Sequence, residues 1–76
     1  MPRFFFHLSD GTVSLDPEGV ELSGEAEACE EAVRYLGELL HYDAQPDLAN
    51  GHPLNLSVTD EAGDPLFRLE VRAIKS

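Results

Sequence analysis

The chain has no tryptophan, a single cysteine, a single methionine and only five basic residues against fifteen acidic ones. One cysteine, Cys29, excludes a disulfide within the chain and gives no sign of an oxidising compartment. The shortage of positive charge leaves a formal net charge of −10, which repels phosphate backbones unless the few cations are concentrated. No run of about eighteen apolar residues occurs, so no membrane-spanning helix is expected. The opening Met-Pro-Arg-Phe-Phe-Phe-His-Leu-Ser-Asp does not read as a signal peptide, because its apolar run breaks at His7 and is followed by Asp10-Gly11. A cytoplasmic location is expected.

Chemical signatures are also missing. The three histidines and Cys29 form no CxxC, no HExxH and no close pair, so no metal is expected. The acidic segments Asp16-Pro17-Glu18-Gly19 and Asp60-Glu61-Ala62-Gly63-Asp64 lack the twelve-residue calcium-loop pattern and read as turns. No phosphate loop, nucleophile elbow or dinucleotide fingerprint is present, so no cofactor and no enzymatic activity are expected. Cys29 falls near a helix start, which favours a thiolate, but its place on an apolar stripe predicts core packing instead.

What is present is a periodic pattern in 76 residues, room for a single domain, residues 1–76. Arg3 to Ser9 alternates as a strand, with Phe4, Phe6 and Leu8 on one face and Phe5, His7 and Ser9 on the other. Asp10-Gly11 signals a two-residue hairpin, after which Thr12 to Leu15 returns. Asp16-Pro17-Glu18-Gly19 is a second turn and Val20 to Leu22 a short extended piece. Ser23 is the expected N-cap of a helix reaching His41 or Tyr42. Its apolar stripe is Cys29, Val33, Leu36 and Leu40, widened by Ala26, Ala32 and Leu39. Glu30 and Arg34 form an expected i,i+4 pair, Gly37 suggests close contact with another element, and Gln45-Pro46 ends the helical region. After a polar loop with a turn at Asn50-Gly51, Leu54, Leu56 and Val58 alternate in a third strand. A type I turn closed by Gly63 leads to a fourth, with Phe67, Leu69, Val71 and Ala73 on one face and Leu66, Arg68, Glu70, Arg72 and Ile74 on the other.

The expected fold is therefore α+β, ordered β-β-α-β-β: an antiparallel sheet of three to four strands with one amphipathic helix on one face. A helix is about 10 Å across, narrower than four strands at about 4.8 Å spacing. Part of the apolar face stays uncovered, and Phe5, Leu66 and Ile74 point away from the helix. That surplus predicts a homodimer, or an unidentified protein partner, acting through a sheet face or edge.

The candidate interaction surface is Arg3, Phe5, His7, Leu66, Arg68 and Arg72. Its alternative use is a platform for single-stranded nucleic acid or a nucleotide, built on the basic C-terminal strand with Lys75 and with Arg3 joining if the first and last strands pair. The overall acidity disfavours that alternative. His7 is expected to be structural, bonded to a neighbouring strand side chain.

The Pro-Arg-Phe-Phe-Phe-His opening with Asp10-Gly11, the Gly19-Val20-Glu21-Leu22 segment, the Ala- and Glu-rich helix and the Val58-Thr59-Asp60-Glu61-Ala62-Gly63 hairpin resemble a family of small bacterial proteins of unknown function. The resemblance covers nearly the whole chain. It implies a recurring domain and brings no activity, cofactor or catalytic residue.

Overall fold

Alternation, two acidic turns and one amphipathic run generate the elements of the computed structural model, which describes residues 1–42, 48 and 50–74. In chain order they are β1 (Arg3–Ser9), β2 (Val13–Ser14), β3 (Val20–Glu21), α1 (Glu25–Tyr42), β4 (Leu54–Thr59) and β5 (Pro65–Val71). The expected α+β order is observed. All pairings are antiparallel in the order β2-β1-β4-β5, and β3 pairs with the start of β1. The first and last strands do not meet, because β4 lies between them. Gln45, Pro46 and Lys75, which carried sequence expectations, lie outside the described residues.

The sheet's inner face is assembled by register. Phe6 sits opposite Val58 and Leu8 opposite Leu56, while Leu56 faces Leu69 and Leu54 faces Val71 on the other side. The helix packs over β4, and the consequence is a graded core. Leu54, Leu56 and Val58 are fully buried, each worth about 1.5–3 kcal/mol relative to exposure. On the flanking strands Phe6, Leu8, Phe67, Leu69 and Val71 are only half-buried. One helix thus covers the middle of the sheet and leaves its margins.

The buried helix face keeps Ala32, Leu36, Leu39 and Leu40 of the expected stripe but is rotated away from its other members. Ala28, Ala32 and Leu36 are buried, whereas Cys29 is exposed, Ala26 is exposed and Val33 is 57% exposed. The i, i+4, i+8 row of two alanines and a leucine lets the helix backbone approach the bulky β4 side chains. Hydropathy ranks valine and cysteine above alanine, but close approach favours the small residue. Cys29 is therefore not a core residue.

Several local features also differ. Ser9 faces Val13, so the first hairpin loop is the three residues Asp10, Gly11 and Thr12. Only Gly11 takes positive φ, at 103°, where a two-residue type I′ turn would need two such residues. The helix's first backbone bond runs from Ala28 N–H to the Gly24 carbonyl at 3.0 Å, making Gly24 the N-cap. The Ser23 hydroxyl instead donates to Glu27 at 3.2 Å. Arg34 pairs with Glu31, not Glu30, at i,i+3. The turn after β4 is as expected, with Gly63 N–H donating to the Asp60 carbonyl at 3.0 Å and Gly63 at φ 85°.

Gly37 is exposed and has nothing among the described residues within 4 Å of where a Cβ would stand, so it marks no close contact with them. Gly37→Ala is expected to raise stability by about 1 kcal/mol through helix propensity alone. A denaturant titration that shows no gain would contradict this reading.

Candidate interaction surface

The two edges of the sheet are treated differently by the chain. On the outer side of β1, β3 pairs at Arg3 and Phe4 and β2 pairs at Leu8 and Ser9. Between them the ladder is continued by a side chain. Asp16 Oδ2 accepts from Phe6 N–H at 3.2 Å, and its Oδ1 accepts from Glu18 and Gly19 N–H, both at 3.1 Å. Pro17 has no N–H to place, so the turn leaves no donor stranded there. Leu22 N–H donates to the Pro2 carbonyl at 3.0 Å. The residues from Val13 to Leu22 therefore cover the outer side of β1 and leave only the two-residue strands β2 and β3 as the margin there, with Val13, Leu15 and Val20 exposed.

His7 belongs to the same cover. Asp16 N–H donates to its Nδ1 at 3.1 Å, which assigns the ring proton to Nε2 and makes that nitrogen the donor to Thr59 Oγ1 at 3.1 Å. The Phe5 ring lies parallel to the imidazole, centroids 6.4 Å apart. Phe5 is half-buried and lies beside Gly19, so it is not left over for a partner. His7 bonds a side chain of the neighbouring strand, Thr59 of β4, as expected from sequence, whereas its bond from the Asp16 amide was not foreseen.

Partial burial pushes the Asp16 carboxyl up, but the amides of Gly19, Phe6 and Glu18 outweigh it and hold the group below its ordinary 3.8. A carboxyl depressed in the folded state contributes stability above the unfolded value and loses it as pH falls through the folded value. The stability gap between wild type and Asp16→Ala should therefore be full at neutral pH and narrow as pH drops below about 3.8. Paired denaturation curves at pH 7 and pH 3, round values either side of that window, check this. A gap of equal size at both would show that the carboxylate charge is irrelevant.

The opposite edge, β5, has one neighbour, β4, among the described strands. Its inward residues Phe67, Leu69 and Val71 are half-buried. Outward, Arg68 stands opposite Ser57 and Glu70 opposite Asn55, and Glu70 accepts from Arg72 at 3.0 Å. Leu66 does not point away with them. The register shifts between Val58 and Thr59, placing Thr59 opposite Pro65, and Leu66 packs against the core at that irregularity. Ile74 remains 88% exposed.

The six expected surface residues thus fall into two groups. Arg3, Phe5 and His7 belong to the blunted edge. There Arg3 donates to the Glu18 carbonyl at 2.7 Å and to Glu21 at 2.9 Å, while its backbone N–H donates to Glu61 at 3.1 Å. Arg68 and Arg72 flank the open edge, with Leu66 at its start. The arginines form no single patch, and two of the three hold carboxylate partners. Among the described residues no cluster could hold a metal ion, and no helix is long and apolar enough to cross a membrane. Phe67, Leu69 and Val71, which alternation assigns to the covered face, join the β5 edge because the helix leaves them half-buried.

Compared with known proteins, the chain matches no curated protein and no solved structure. A family model described as Domain of unknown function (DUF6894) matches residues 3–72, a span that holds every strand and the helix, and the chain therefore belongs to that family.

Proposed function

We propose that the chain is a small non-catalytic protein-interaction module, located in the cytoplasm and acting as a homodimer. The observation that supports it is the contrast between the two sheet edges. One is blunted by the chain's own β2, Asp16 and β3, and those two strands are too short to template a partner. The other presents β5, whose inward side chains are only half-covered. An open strand beside incompletely covered apolar surface is the usual ground for strand-to-strand association. Size-exclusion chromatography with light scattering tests it. The expected mass is near twice the 8.4 kDa of the chain. A strict monomer at micromolar concentration would reject the dimer.

A further inference from the structure

β5 carries a sequence that complements itself when reversed. In a two-fold antiparallel pair of strands, residues equally spaced about the axis stand opposite one another and share a face. With Leu69 on the axis, Phe67 meets Val71 of the second copy on the inner face. On the outer face, Arg68 meets Glu70 and Glu70 meets Arg68. The neighbouring same-face registers fail on charge. An axis at Arg68 sets Arg68 against itself, and one at Glu70 sets Glu70 against itself and Arg68 against Arg72. Like charges directly opposite destabilise a pair, and unlike charges support it.

We propose that β5 pairs with β5 of a second copy, antiparallel and centred on Leu69, joining two sheets into one. The inference rests on the dimer reading above and specifies its surface and register. Arg68 and Glu70 face outward opposite Ser57 and Asn55, so their pairing leaves the core undisturbed, and the Glu70 carboxylate that accepts from its own Arg72 would be shared with Arg68 of the second copy. The irregularity near Leu66 ends the regular stretch, leaving Phe67 to Val71 as the pairing segment. Joining also helps the uncovered inner face. Each helix lies over its own β4, so the two helices stand about three strand spacings apart, ~14 Å. Helices with side chains are about 10–12 Å wide, so the strip of Phe67, Leu69 and Val71 from both copies lies beneath a gap of only a few ångströms.

The test is a charge exchange read by the dimer dissociation constant. Arg68→Glu and Glu70→Arg should each weaken the dimer by about tenfold or more, since the symmetry repeats every opposed pair twice. The double variant R68E/E70R should return to within about threefold of wild type. Register is read separately with Cys29→Ser chains carrying either Arg68→Cys or Glu70→Cys. On oxidation of the mixture, disulfides should join unlike chains, because only opposed positions bring Cβ atoms within bonding range. A wild-type dimer indifferent to all three charge variants, or one giving only like-chain disulfides, overturns this register and leaves the dimer standing. A monomeric wild type overturns both.

Discussion

Gly19→Ala is expected to cost about 3 kcal/mol or more, a sum of two separate penalties. The first is conformational. Gly19 has φ 72°, a left-handed geometry costing roughly 1–2 kcal/mol with a Cβ. The second is steric. A Cβ there would stand 2.9 Å from Arg3 Cγ, the Phe4 carbonyl oxygen and Phe5 Cε2. The Phe4 carbonyl is sheet backbone and cannot swing aside, so the loop itself must lift. Lifting it strains the Gly19 N–H bond to Asp16 and, through Asp16, the bond to Phe6. Gly63→Ala separates the two penalties. Gly63 has φ 85° with nothing within 4 Å of the added carbon, so only the conformational cost applies. Thermal unfolding of both variants should show a markedly larger loss at Gly19. Equal losses would mean that the contact with β1 is unimportant.

Leu56→Ala is expected to cost about 2–5 kcal/mol, the range for removing a fully enclosed leucine. Leu56 is 0% exposed, with Leu8 on one side and Leu69 on the other. Neighbours held in sheet register cannot collapse into the space left behind, which places the loss towards the upper part of that range. A domain of this length has total stability of roughly 4–11 kcal/mol at typical per-residue values, so the variant should be near its unfolding threshold. Val33→Ala is the informative companion. Periodicity placed Val33 on the buried stripe, but it is 57% exposed, and its replacement should change stability by no more than about 0.5 kcal/mol. Chemical denaturation of the two variants reads directly which helix face meets the sheet. A loss at Val33 comparable with that at Leu56 would reverse the assignment.

The strands and the helix were legible because each signal is local. Arg3 to Ser9, Leu54 to Thr59 and the later strand are marked by strict alternation, and α1 by charge at its start and its apolar spacing. The turn at Asp60 to Gly63 was legible because an aspartate and a glycine at that spacing satisfy a type I turn by themselves. The resemblance to a family without assigned activity also holds at that level, since the family to which the chain belongs has none. The candidate surface was legible only in part. Arg68 and Arg72 were placed on the right strand, but Arg3 was grouped with them on the assumption that the first and last strands pair.

What the sequence by itself determined is the succession of elements, and the mismatch between one helix and a four-strand sheet. Both follow from residue periodicity and from fixed helix and strand widths. What only the tertiary structure decided is how those elements meet. The helix face was settled by close approach over β4, where Ala28 and Ala32 are fully buried. The order β2-β1-β4-β5 was settled by long-range pairing that no local signal encodes. It blunts one edge with short strands tied through Asp16 and His7 and leaves β5 with one neighbour among the described strands. Which edge is blunted depends on hydrogen bonds between residues about ten apart, which need β1 to present the Phe6 amide and the His7 ring on its outer side.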